Sequence, residues 1–250
     1  MEQAMSEDRK LTGKVALVFG GSRGIGAAAA RRLARDGANV GLTYVSAPEK
    51  AADTVRAIEE EGRTGFAIKA DSADPTAIRD AVTQTVAQLG RLDIVVVNAG
   101  ILRRGDIQAV SLQELDLMLN VNVRGVFLAI QAAAAHLSEG GRVITIGSNT
   151  AVRSSYPGSS VYAMTKAAVA VMVKGIAVDL APRGITVNNI QPGPTLTDMT
   201  ADYIDVITPA IPLKRVGDPE EIAGLVAYLA SGESGYMTGA SLTIDGGMAL

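Results

Sequence analysis

Val15-Ala16-Leu17-Val18-Phe19-Gly20-Gly21-Ser22-Arg23-Gly24-Ile25-Gly26 is the stretch that decides the fold. A short continuous apolar run with a glycine-rich turn behind it reads as a strand buried on both faces, as in a parallel sheet. The helix that follows ends at Gly37. Backbone N–H groups at a helix N-terminus, uncovered by side chains, make a pocket for a pyrophosphate. The spacing is G-x-x-x-G-x-G rather than the G-x-G-x-x-G of the general dinucleotide fingerprint, so the strand-turn-helix context carries the reading.

Outward from this unit the alternation repeats. Residues 39–44 read as a second strand, and Pro48 opens a helix that closes near Gly62. Residues 65–70 form a third strand. Asp74-Pro75 starts a helix with Ile78, Ala81, Val82, Val86 and Leu89 on the 3.6-residue period, stopped by Gly90. Residues 92–97 are apolar but for Asp93. Ser111 and Glu114 make a capping box for a long helix predicted to reach about Leu137, and Gly140-Gly141 turns into a strand over 142–146. A helix bearing Tyr162, a strand over 185–191, a helix opened by Pro219 and a last short strand over 242–244 complete the series. The prediction is an α/β fold: a doubly wound parallel sheet of about seven strands with helices on both faces and right-handed crossovers. Residues 1–10 are expected to be a flexible tail and 11–250 a single domain, with the aperiodic stretch 192–217 as a substrate loop.

Composition narrows the chemistry. The 250 residues are 48% hydrophobic and contain no cysteine, which removes disulfides, thiol nucleophiles and cysteine metal sites. The single histidine, His136, follows an alanine-rich run and reads as a helix-end residue, so histidine metal clusters and Ser-His-Asp catalysis are not expected. With a net charge of −3 and only the isolated basic pairs Arg31-Arg32, Arg103-Arg104 and Lys214-Arg215, there is no electrostatic footprint for nucleic acid. The first ten residues are polar, and Lys166 and Lys174 interrupt the apolar run at 161–178, so no membrane span is expected and the protein reads as cytoplasmic.

Tyr162 and Lys166 are four apart on a helix and share one face. A fixed cation a few Å from a phenol favours the phenolate, so the pair is expected to lower the tyrosine pKa towards neutrality. Lysine is almost never buried without a partner, and this helix reads as apolar on nearly every side, so Lys166 calls for a polar pocket or ligand. Ser148, in a polar run after the fifth strand, can supply a hydroxyl to the same place. Asn149, Tyr156 and Arg153, between Ser148 and Tyr162, are candidates for lining a substrate pocket. At the end of the second strand, where an acid would grip the ribose of NAD, the chain reads Tyr44-Val45-Ser46-Ala47, with Glu49 the first carboxylate. Arg23 and Ser46 suit a 2′-phosphate instead, so NADP(H) is the preferred cofactor and NAD(H) a permitted one.

In combination these motifs resemble the short-chain dehydrogenases/reductases, from Leu11 to Ile244-Asp245-Gly246-Gly247. They are the glycine turn, Asp71-Ser72 after strand three, Asn98-Ala99-Gly100 after strand four, Asn122, Ser148, Tyr162-x-x-x-Lys166, and Pro192-Gly193 followed by Thr195 and Thr197. The resemblance implies a Rossmann fold and hydride transfer between a nicotinamide and a ketone or secondary alcohol. Tyr162 would be the general acid/base and Ser148 the hydroxyl orienting the carbonyl. Lys166 would hold the nicotinamide ribose, with Tyr162 also counted among the cofactor-contacting residues, and Asn122 would hold a water leading to solvent. Gly20, Ser22, Arg23, Gly24, Ile25, Gly26, Tyr44, Ser46, Asp71, Ser72, Asn98, Ala99 and Gly100 would contact the adenosine and phosphates, and Pro192, Gly193, Thr195 and Thr197 the carboxamide end. Two departures, Phe19 for the usual threonine and Val97 for a usual asparagine, each remove a hydrogen bond bracing the cofactor loops.

Among relatives of this kind, 3-oxoacyl-[acyl carrier protein] reductases and small-ketone carbonyl reductases resemble the chain best. Glu139, where the former carry a basic residue, disfavours an acidic carrier and favours a free ketone or small 3-oxo compound. The apolar surfaces of the Tyr162 helix and residues 132–135 imply a homotetramer, as is common in the family. A nucleotide-binding regulator on the same fold is the competing reading. A nucleotide-sugar epimerase would want a longer C-terminal region.

Overall fold

The alternation folds into one seven-stranded parallel sheet of order β3-β2-β1-β4-β5-β6-β7 in a computed structural model that describes residues 9–154 and 156–250. The strands are β1 Val15–Phe19, β2 Asn39–Tyr44, β3 Gly65–Lys69, β4 Leu92–Val97, β5 Leu137–Ile146, β6 Thr186–Pro192 and β7 Ser241–Ile244. The helices are α1 Gly24–Arg35, α2 Pro48–Glu60, α3 Pro75–Leu89, α4 Leu112–Leu119, α5 Gly125–Ala134, α6 Ser160–Leu180, α7 Ile204–Ile207 and α8 Pro219–Ala230. The chain order reverses between β1 and β4, so the ligand crevice of an open α/β sheet lies at their carboxyl ends.

β1 has alternating neighbours. Ala16 and Val18 face a layer made by α1, α2 and α8, with Leu33, Ile58 and Val226 at its centre. Leu17 and Phe19 face a second layer made by α3, α5 and α6, with Val82, Ile130 and Val173. A strand covered on both faces has no polar side to show, which is why its sequence is apolar without interruption.

Three elements depart from the sequence reading. The predicted helix over 111–137 begins as expected, with the Ser111 hydroxyl accepting the Glu114 N–H at 3.2 Å, but it is interrupted by a π turn at Asn120–Arg124. The Asn122 amide bonds both ways to the Ile101 backbone at 2.8 Å, and Gly125 packs so tightly that a Cβ would lie 2.2 Å from the Ser72 carbonyl. These contacts hold an extra residue in the turn. The helix then stops at Ala134, because the Arg183 guanidinium takes the carbonyls of Ala134 and Leu137. β5 consequently starts at Leu137, paired with Leu92, and a register shift between Leu92 and Ile94 absorbs Gly140 and Gly141.

Residues 1–8 of the expected tail lie outside the described residues. Arg9 and Lys10 are tied down, to Glu61 at 3.5 Å and Glu233 at 2.9 Å. His136 is exposed just beyond α5, its N–H on the Ala133 carbonyl. Residues 192–217 hold α7 and two single 3₁₀ turns rather than structureless chain. By length and apolarity the stretches 112–134 and 160–183 would each cross a bilayer. Here α6 packs on β6 and α5 on β4 and β5. α6 buries one stripe (Thr165, Lys166, Val169, Val173 and Ala177), while Val171 and Val178 stand outward.

Candidate active site

The glycine turn is braced from three directions. The Gly20 N–H donates to the Thr43 hydroxyl on β2 (2.9 Å), and the Gly20 carbonyl accepts from the Asn98 side-chain amide (2.8 Å). The Phe19 carbonyl accepts the backbone N–H groups of Asn98 (3.2 Å) and Ala99 (2.9 Å). Thr43 thus replaces part of what Phe19 and Val97 withhold. It escaped the sequence reading because a threonine inside a strand looks like an ordinary β-former. A Cβ on Gly26 would sit 2.1 Å from the Gly20 carbonyl, so only glycine lets the first turn of α1 close on the loop. That turn has no side-chain cap and no acidic residue, leaving its N–H groups and positive dipole end for an anion. These features fit a dinucleotide phosphate.

Next to it, Ser46 is exposed and Tyr44 half-buried at the end of β2. No carboxylate stands there. Arg23 instead shares Asp198 with Lys50, at 3.3 and 2.8 Å, and these cations hold the Asp198 carboxyl below its usual range, Lys50 more than Arg23. Lys50 was missed in the sequence, since one lysine in a helix's first turn resembles any surface charge. Asp71 turns its carboxylate onto the Ala73 N–H (2.8 Å), and Ser72 is buried against Gly125. The loop after β6 closes over the turn: Gly193 donates to the Ile244 carbonyl, the Thr195 hydroxyl to the Gly193 carbonyl (3.0 Å), and the Thr197 methyl lies 3.1 Å from the Cβ position of Gly24.

Deeper in, β5 delivers Ser148 and α6 delivers Tyr162 and Lys166. The Ser148 hydroxyl accepts from the Thr150 hydroxyl at 2.9 Å and its N–H at 3.2 Å. Lys166 is buried at 5% exposure and donates to the Ile146 carbonyl at 3.0 Å, leaving two ammonium donors for a ligand such as a ribose diol. Gly100 lies beside it, its Cβ position 3.4 Å from Nζ. The Asn122 amide, fully buried, is committed to Ile101 and, at 3.3 Å, to Thr165, so it anchors the loop that carries Gly100.

The electrostatics differ from the expectation for a Tyr-Lys pair. Burial pushes the Tyr162 phenol up from 10.0 to about 12, against a smaller downward pull from the Ser148 hydroxyl. The same burial pushes Lys166 down from 10.5 to about 8. The ammonium is 5.6 Å from the phenol ring centroid, so desolvation outweighs its attraction. Tyr162 is a proton-loaded acid at neutral pH.

Three expected pocket residues have other partners. Asn149 is buried, its amide donating to Asp245 at 3.1 Å, and it ties the Ser148 turn to the C-terminal segment. The Tyr156 hydroxyl reaches Met248 Sδ at 3.5 Å, and its pKa is raised by burial while Arg104 opposes the rise. The Arg153 guanidinium meets the Leu250 carbonyl.

A family model described as enoyl-(acyl carrier protein) reductase matches residues 20–249. The chain is 43% identical to the cyclic-di-GMP-binding biofilm dispersal mediator protein of Escherichia coli K12, over 94% of this chain and 97% of that one. It is 38% identical to versicolorin reductase 1 of Aspergillus parasiticus, over 97% and 99%. Among solved structures, a short chain dehydrogenase from Burkholderia cenocepacia J2315 in complex with NADP superposes with a TM-score of 0.94 at 48% identity, covering 96% of this chain and all of that one. With a seven-stranded parallel sheet and a Ser148, Tyr162 and Lys166 set at its carboxyl edge, the chain belongs to the short-chain dehydrogenase/reductase family of oxidoreductases.

Proposed function

We infer that the protein is an NADP(H)-dependent carbonyl reductase, reversible as an alcohol dehydrogenase, acting on a free ketone or small 3-oxo compound. The observation that carries this is the half-buried Tyr162 and the buried Lys166 beside Ser148 and Gly100. A bound nicotinamide supplies or accepts the hydride. Ser148 orients the substrate carbonyl. The Tyr162 phenol gives its proton to the carbonyl oxygen, and the nearby Lys166 ammonium stabilises the phenolate this leaves. Lys166 also offers its two remaining donors to the nicotinamide ribose. The reading is tested by following nicotinamide absorbance with NADPH and with NADH across a ketone panel. Turnover supports it; cofactor binding without turnover on any ketone favours a nucleotide-binding regulator, the second reading, which the Escherichia coli relative's description supports.

The preference for NADP(H) rests on Arg23 and Lys50 and on the missing carboxylate at the end of β2. The Burkholderia relative's complex with NADP agrees with it. Asp198 competes with a 2′-phosphate for the same two cations. In Asp198→Asn the dissociation constant of NADPH, read by fluorescence titration, is expected to fall by about threefold, the scale of an exposed ion pair, with NADH nearly unmoved. Equal effects on both cofactors would place the 2′-phosphate elsewhere.

The outward stripe of α6, with Val171 at 68% and Val178 at 75% exposure, and Phe127 of α5 at 43%, supports the homotetramer. Light scattering behind a sizing column should give tetramer mass for the wild type and a smaller species for Val171→Asp/Val178→Asp. A wild type at monomer mass would remove the proposal. Cytoplasmic residence and the absence of nucleic-acid or membrane partners remain expectations from charge and composition.

A further inference from the structure

Three loops leave the carboxyl ends of adjacent strands, on the edge of the sheet that carries Ser148: the segment after β4, the one after β5 and the one after β6. They contribute Arg104, Tyr156 and Tyr203 respectively. The Arg104 guanidinium carbon lies 4.1 Å from the Tyr203 ring centroid and 5.9 Å from that of Tyr156. The Gly105 N–H donates to the Gly158 carbonyl at 3.1 Å, joining the first two loops beside this cluster. The adjacent Arg103 is different: it folds back on the Leu102 carbonyl.

An aromatic ring engages the face of a guanidinium, whereas its N–H donors lie in the plane at the edge. Among the described residues, Arg104 makes no hydrogen bond or ion pair with any group of the chain. The exposed cation therefore sits beside two aromatic rings with no donor committed to the chain, which leaves its planar fork available for two parallel N–H bonds to a carboxylate. Ile107, Val152 and Met199 on the same three loops stay exposed, at 79%, 62% and 45%. They offer apolar contact to the body of a ligand.

We propose that Arg104 is a substrate subsite for a carboxylate, so that the ketone this enzyme reduces carries a carboxylate on an apolar or aromatic body. This rests on the reductase reading above and specifies its substrate class. Arg104 selects and orients the substrate, and the Ser148, Tyr162 and Lys166 chemistry is unchanged.

The test compares para- and meta-acetylbenzoate with their methyl esters, on wild type, Arg104→Gln and Arg103→Gln. Wild type should prefer the better acid over its ester in kcat/KM by about tenfold or more, the scale of a charge-assisted pair of hydrogen bonds. Arg104→Gln should lose that preference through KM, with the ester rate changed less than about twofold, while Arg103→Gln keeps it. Calorimetric binding of the same compounds to the NADPH-loaded protein reads selectivity without turnover. Wild type binding acid and ester alike, or Arg104→Gln retaining the preference, overturns the proposal. Selective binding of the acid that Arg104→Gln abolishes, with no reduction of either compound, sustains the subsite and counts against the reductase reading.

Discussion

Tyr162→Phe is expected to lower kcat by about a hundredfold to ten-thousandfold, the usual contribution of a positioned general acid. Phenylalanine keeps the ring and its packing on α6, and removes only the hydroxyl that Ser148 pulls on. Cofactor affinity should therefore stay within about twofold of wild type, since the ring is not among the anion-binding groups. The two readouts separate chemistry from binding: a variant that loses affinity as well has been disturbed structurally. A residual rate near wild type would mean that the proton reaches the carbonyl by another route, and the assignment of Tyr162 would fail. The phenol's high pKa gives the experiment a companion feature, because the acid form needed for reduction is populated throughout the neutral range.

Lys166→Met should do two opposite things. Activity should fall sharply with the loss of the cation beside the phenolate and of the ribose contacts proposed for it. Stability at neutral pH rises. The folded protein holds Lys166 at a pKa of about 8 against an ordinary 10.5, which corresponds to about 3 kcal/mol of unfavourable charge burial at pH values where both folded and unfolded chains carry the proton. Losing the bond to the Ile146 carbonyl takes back roughly 1–2 kcal/mol, leaving a net gain of about 1 kcal/mol or slightly more. In a chain of this size that raises Tm by about 2–4 °C. The sign follows from the depressed pKa of a cation. Its cost is full below about pH 8, shrinks as the folded protein releases the proton above that, and is gone beyond about 10.5. The advantage of methionine should fade over the same interval in a series of thermal melts. A variant less stable than wild type at neutral pH would show that Lys166 is well solvated by its pocket.

Much of the architecture is legible because a parallel sheet writes itself locally. Residues 15–19 are apolar without alternation, Asp74-Pro75 and Gly90 mark both ends of α3, and Pro219 opens α8. What escapes is whatever depends on a distant partner. Nothing near Asn122 announces that Ile101 will claim its amide and widen the helix, and nothing near Leu137 announces that Arg183 will end α5 early. The site follows the same division. Tyr162 and Lys166 advertise themselves by spacing, yet the direction of their pKa shifts depends on how deeply α6 sits, which spacing does not encode. Thr43, Lys50 and Asp198 act through contacts made across the crevice, and Asn149 turns away from it to Asp245 for a reason 96 residues further along the chain.

The two apolar layers bear on how such a chain can diverge. The sheet separates the layer of α1, α2 and α8 from that of α3, α5 and α6, so a side chain in one has few neighbours in the other. Substitutions that far apart change stability nearly independently. A lineage can therefore accumulate and compensate replacements beneath helix α1 without retuning the packing under α6. Drift on one side of the sheet leaves the geometry of Tyr162 and Lys166 on the other as its ancestors set it.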